Sequence, residues 1–145
     1  MRIPKSHAES DAKFVSKIKR TIHFINRTGE LPERFVKDKN EVEFYYTMRL
    51  VCEKSEYFIN KYPQNAEELI EVIKKILGRY WKPVNNLYSL RDFLCDFKKR
   101  PTQEEDPVLY KTLYNLENDI SCSRLKKKYK KTVNHVLRLA KQLRD

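Results

Sequence analysis

The scarcity of glycine restricts this chain more than any other feature, because its 145 residues include only Gly29 and Gly78. Sandwiches, barrels, dinucleotide-binding folds and phosphate-binding loops place glycine at turns and close backbone approaches that other residues adopt at a cost. Lys, Glu, Leu and Arg, which favour helices, are abundant instead. The sequence therefore predicts an all-α protein, a compact bundle whose length allows a core without covalent staples.

Apolar periodicity and helix-boundary residues predict about six helices in this bundle. The first helix is expected to be capped by Ser10 or Asp11, and the third by a capping box of Asn65 with Glu68. A loop is expected between residues 79 and 88. The predicted helices cover residues 9–28, 40–61, 65–78 and 89–98, then one that opens at Asp106-Pro107 and one from 123 to the end.

The two halves of the chain share a pattern of an aromatic–aliphatic pair followed at a fixed distance by proline. Phe24-Ile25 precedes Pro32 as Phe93-Leu94 precedes Pro101, and an acidic residue and an aromatic-rich helix follow in both halves. We interpret 1–145 as one helical domain built by tandem duplication of a three-helix unit, with subunits 9–78 and 86–145. Chance similarity between two helix–proline–helix hairpins is the alternative.

The segment Ile22-His23-Phe24-Ile25-Asn26-Arg27-Thr28-Gly29-Glu30-Leu31-Pro32, followed by Lys37-Asp38 and an aromatic helix, resembles the helicase-associated domain. That domain is a small three-helix repeat found in tandem beside helicases and in phage and viral proteins. The resemblance covers mainly residues 14–50, with a second copy at 86–120. The second copy keeps the proline but carries Lys98-Lys99-Arg100 in the glycine region, and it lacks the tryptophan of many members. The resemblance implies an accessory nucleic-acid-binding role.

Positive charge is concentrated in the last helix. Residues 121–145 carry nine basic and one acidic side chain, which is +8 of the net charge of +11. Apolar residues of this helix recur on one face, and no acidic residue stands at i±4 to neutralise the cations on the other face. This pattern favours a polyanion, nucleic acid first, over a merely solubilising surface. The candidate binding residues are Arg124, Lys126, Lys127, Lys128, Lys130, Lys131, Arg138 and Lys141.

Two smaller patches are candidates for extending this surface. One comprises Lys19 and Arg20 in the first helix, and the other comprises Arg79, Trp81 and Lys82 in the expected mid-chain loop. Trp81 is the only tryptophan, and a tryptophan flanked by cations can stack on an unpaired base. A lid over the core is the competing interpretation of Trp81, and it is the more common role of such a residue.

No catalytic or metal-binding pattern is present in the sequence. The histidines are isolated, without the spacing of a zinc site, and Cys122 lacks a neighbouring histidine to activate it. We therefore expect no enzyme activity, no cofactor and no metal. Three cysteines without a CxxC pair indicate reduced thiols. With no signal peptide and no membrane-spanning run, they indicate a cytoplasmic protein, in the host cell if its origin is viral.

Two hypotheses of function follow from these features. The first is a small, basic, non-catalytic protein from a phage, virus or mobile element that binds the phosphate backbone of DNA or RNA through its last helix. The second is an accessory or inhibitory protein, of an anti-defence type, that binds a nuclease, a helicase or another nucleoprotein complex.

Overall fold

The structure, a computed structural model, describes the backbone of residues 4–144 and the side chains of residues 10–144. The described backbone is helical, without strands, so the all-α prediction is confirmed. It divides into two compact units, the first ending at Gly78 and the second beginning at Arg79. Each unit contains four α-helices, because two of the six predicted helices are broken.

The first unit contains α1 (Pro4–Thr28), α2 (Lys39–Glu53), α3 (Ser55–Lys61) and α4 (Pro63–Leu77). The long α1 packs against both α2 and α4, and the short α3 lies against α4. The core consists of apolar residues that recur at helical spacing on these helices. Its buried members include Ile18, Ile22, Ile25, Tyr45, Met48, Val51, Leu69, Ile73 and Leu77.

The second unit contains α5 (Trp81–Phe97), α6 (Pro107–Glu117), α7 (Ser123–Lys128) and α8 (Lys130–Gln142), preceded by a 3₁₀ turn (Gly78–Tyr80). Helix α5 packs against α6 and α8, and α7 lies against α8. One buried cluster joins α5, α6 and α8, and Leu125 of α7 packs against it. It consists of Leu87, Leu90, Leu94, Leu109, Leu113, Leu116, Cys122, Val133, Val136 and Ala140.

The two units repeat the same turn after their first helix. Gly29 follows α1 with φ +71° and donates its N–H to Ile25, and Lys98 follows α5 with φ +53° and donates to Leu94. Each turn continues to a buried proline, Pro32 or Pro101. The two halves are therefore similar in backbone conformation as well as in sequence at this turn. The origin of both units by duplication stays a prediction.

The second helix of each unit starts at an aspartate N-cap. The Asp38 carboxylate accepts a hydrogen bond from the N–H of Asn40 at 2.9 Å, and the Asp106 carboxylate accepts one from Leu109 at 3.1 Å. Such caps satisfy backbone donors that the first turn leaves without a partner. The predicted start signal at Asp106-Pro107 is confirmed, with Pro107 in the first turn.

Several predicted boundaries are wrong. Ser10 and Asp11 lie inside α1, and Asn65 and Glu68 lie inside α4, so neither proposed cap forms. The helix predicted over 40–61 breaks at Lys54, whose φ and ψ are −122° and 48°. The break at Lys54 contains neither glycine nor proline, and the prediction of helix ends depends mainly on those two residues.

The expected loop over 79–88 is also wrong, because α5 begins at Trp81 and Pro83 lies in its first turn. Proline lacks only an N–H that has no helical partner at this point, so the helix tolerates it there. The fourth predicted helix therefore starts eight residues before the expected Ser89.

The left-handed turns predict opposite effects of two substitutions on stability. Lys98→Gly should raise the free energy of unfolding by about 1 kcal/mol, because glycine adopts positive φ without the clash of a Cβ. Gly29→Ala should lower it by a similar amount, although a Cβ there meets nothing within 4 Å. Urea denaturation followed by circular dichroism measures both. Equal effects of Lys98→Gly and of the exposed Lys99→Gly would contradict the backbone explanation.

Candidate nucleic-acid interface

Seven cations of α7 and α8 are exposed and are here called the basic surface: Arg124, Lys127, Lys128, Lys130, Lys131, Arg138 and Lys141. On the opposite side of α8, Val133, Val136 and Ala140 are buried in the core of the second unit. Neither helix contains Asp or Glu. The predicted separation of a cationic face from a core face is therefore present.

The predicted single last helix is wrong, because α7 and α8 meet at a break at Tyr129, whose φ and ψ are −116° and 42°. The backbone hydrogen bonds continue through the break, from Tyr129 N–H to Leu125 and from Val133 N–H to Tyr129. The break is thus a bend rather than a gap. It resembles the bend at Tyr62 between α3 and α4, where φ and ψ are −130° and 68°.

Lys126 does not belong to the free cations. Its ammonium group forms an ion pair with the carboxylate of Asp119, which lies in the turn before α7. The side chain of Lys126 is half-buried, whereas the other predicted cations of α7 and α8 are exposed. Inspection of i±4 neighbours missed Asp119 because this partner is seven residues away and outside the helix.

The mid-chain patch and the basic surface meet at a pair of tyrosines. The ring of Tyr80 packs edge-on against that of Tyr129, with centroids 5.6 Å apart. The ammonium of Lys128 lies 5.0 Å from the Tyr80 ring, and the guanidinium of Arg79 lies 5.3 Å from it. These contacts place Arg79 beside the junction of α7 and α8. Sequence reasoning missed this contact, because only the folded chain brings the two tyrosines together.

Trp81 and Lys82 occupy the first turn of α5 rather than a loop. Trp81 is half-buried, which is closer to the role of a lid than to that of an open stacking platform, and Lys82 is exposed.

Burial, with the neighbouring Tyr80 hydroxyl, raises the pKa of Tyr129 above its ordinary value. Tyr129 is therefore an uncharged packing residue at neutral pH, and it adds no negative charge to the cations.

Lys19 and Arg20 are exposed on α1 in the first unit. Lys19 borders a groove that also contains Glu67, Glu68 and Glu71 of α4. The surface around Lys19 therefore mixes signs, unlike α7 and α8. This patch is a weaker polyanion site than the sequence suggested.

Within residues 10–144, no group of three or more His, Cys, Asp or Glu side chains is arranged to hold a metal ion. No helix in the described part is both long and apolar enough to cross a membrane. Cys122 is buried, and its Sγ lies 3.5 Å from the carbonyl oxygen of Asn115. This environment is that of a packed thiol.

Comparison of the chain with protein-family models, with curated proteins and with solved structures gives no match. The resemblance to the helicase-associated domain therefore stays a prediction from the residues at 14–50.

The burial of Cys52 predicts that its thiol reacts slowly at neutral pH. Burial raises the pKa of Cys52 from about 9 to about 11, so the thiol is protonated at neutral pH. Its reaction with a disulfide reagent should be slow at pH 7.5 and should accelerate as the pH rises towards 11. Rates for a variant that keeps only Cys52, in buffer and in urea, test this. Equal rates in the two conditions at pH 7.5 would contradict it.

Proposed function

We propose that this protein is a non-catalytic nucleic-acid-binding protein that contacts phosphates through the basic surface. The observation that carries the proposal is the segregation of charge: two consecutive helices, α7 and α8, expose seven cations and contain no acidic residue. Neighbouring like charges on a helix each cost a few tenths of a kcal/mol, so a surface selected only for solubility would mix signs.

The type of cation favours phosphate contacts over base reading. Five of the seven residues of the basic surface are lysines, and only Arg124 and Arg138 are arginines. A lysine ammonium is a point charge that suits a phosphate, whereas bidentate base recognition uses Arg, Asn and Gln. Binding through the basic surface should consequently depend little on sequence and strongly on salt.

The second hypothesis, an accessory or inhibitory subunit of a nucleoprotein complex, is supported by exposed aromatic residues in the first unit. Phe35 and Tyr46 are 49% and 46% exposed, and the guanidinium of Arg34 lies 5.2 Å and 5.4 Å from their rings. Exposed apolar side chains that cluster in this way are typical of protein contacts. A partner that Phe35→Ser/Tyr46→Ser no longer binds, in nuclease-treated samples, would favour this hypothesis.

Neutralising four lysines should weaken binding and flatten its salt dependence. A variant with Lys127, Lys130, Lys131 and Lys141 changed to Gln tests the basic surface and leaves the Lys126–Asp119 pair intact. About six phosphate contacts correspond to a slope of about −5 in a plot of log affinity against log salt concentration. The variant should have a slope shallower by about 3, measured by fluorescence anisotropy with labelled DNA and RNA.

A matched control separates the basic surface from the overall charge. Lys13, Lys37, Lys75 and Lys111 are exposed outside the basic surface, and changing them to Gln removes the same four charges. The control should keep most of the affinity and the slope. The proposal is wrong if both variants lose binding equally, or if wild-type binding is independent of salt.

A further inference from the structure

A pocket of about 230 Å³ lies in the second unit between the start of α5, the C-terminal half of α6 and the turn that leads into α7. We call it the α5–α6 pocket. Its walls combine apolar and hydrogen-bonding side chains with one cation. Its lining includes Lys82, Pro83, Asn86, Asn115, Ile120 and Leu125.

The hydrogen-bonding groups of this pocket are available. Asn86 and Asn115 are half-buried, and their side-chain amides make no hydrogen bond to another group in the described part of the chain. Each amide offers two donors and an acceptor. Their amide atoms are not among the buried polar atoms that lack a partner, so solvent reaches them and a polar ligand can replace that water.

The other walls suit the faces of a flat ring. Pro83, Ile120 and Leu125 give the pocket apolar sides. An apolar cavity of about 150 Å³ is enough to hold benzene, so about 230 Å³ admits one six-membered ring with its substituents. Apolar faces with amides at the edge are the features that recognise an extruded or unpaired base.

The pocket also adjoins the cations. Lys82 lines it, and Leu125 belongs to α7, within the segment that carries the basic surface. Arg79 and Lys128 both lie over the Tyr80 ring, one residue before α5. A strand whose phosphates contact these cations therefore has a base within reach of the pocket.

We propose that the α5–α6 pocket binds one unpaired base of a single-stranded nucleic acid whose phosphates lie on the basic surface. This inference rests on the proposed function and adds the class of nucleic acid. Bases of a duplex are stacked and paired, so they cannot enter the pocket without being extruded. Single strands should consequently bind more tightly than duplexes of the same length at equal salt.

The test replaces both amides by a side chain of similar size. Asn86→Leu/Asn115→Leu removes the hydrogen-bonding groups while keeping most of the volume. Losing two hydrogen bonds of about 1 kcal/mol each should weaken binding of a twelve-residue oligothymidylate by about thirtyfold. Binding of a twelve-base-pair duplex should not change. The control, Asn26→Leu/Asn60→Leu, alters two exposed amides of the first unit and should affect neither ligand.

A measurement on the unaltered protein tests the pocket without requiring that a variant fold stably. In nuclear magnetic resonance spectra, the side-chain amide signals of Asn86 and Asn115 should shift with the oligothymidylate and stay in place with the duplex. Oligothymidylate binding without such shifts, or at full strength in Asn86→Leu/Asn115→Leu, would overturn the pocket and leave the proposed function intact. Failure of the wild type to bind any nucleic acid would overturn both.

Discussion

The packing of α8 against α5 is the interaction on which the second unit depends. Leu87, Leu90 and Leu94 of α5 share one buried cluster with Val133, Val136 and Ala140 of α8. Burial of a Leu or Val side chain stabilises a fold by about 1.5–3 kcal/mol, whereas a like-charge pair on a helix costs about 0.2–0.5 kcal/mol. The core face therefore sets the orientation of α8, and its cations are held in water despite their mutual repulsion.

Periodicity predicted this arrangement because the apolar and cationic positions of α8 recur at helical spacing. The same reasoning identified the buried faces of α1, α4 and α6, and the aspartate before α6. Periodicity did not predict the bends between consecutive helices or the residue at which α5 begins. The bends at Lys54 and Tyr129 keep helical hydrogen bonds around them, so they leave no trace in the apolar pattern. The start of α5 was missed because Trp81-Lys82-Pro83 is equally compatible with a loop and with a first turn.

The sequence predicted the charged residues of the candidate site but not the contacts between their side chains and other parts of the chain. The exposed cations of α7 and α8 follow from composition and spacing alone. The contact between Tyr80 and Tyr129 joins residues far apart in the chain, and the ion pair of Lys126 with Asp119 crosses a turn. The glutamates beside Lys19 likewise come from another helix. Local sequence carries no information about such neighbours. Lys126 is therefore neutralised by an ion pair, and the patch around Lys19 contains acidic as well as basic residues.

In the proposed binding mode, the basic surface and the α5–α6 pocket contribute different properties. Phosphate contacts supply affinity that falls with salt and ignores sequence, because every nucleotide carries the same charge. Amide and apolar contacts to a base depend weakly on salt and require that the base be unpaired. The break at Tyr129 connects the two, since Tyr129 packs on Tyr80 and thereby fixes α7 beside the start of α5. Leu125 of α7 lines the pocket while the cations of α7 and α8 stay exposed, so one segment of the chain contributes to both parts of the proposed binding mode.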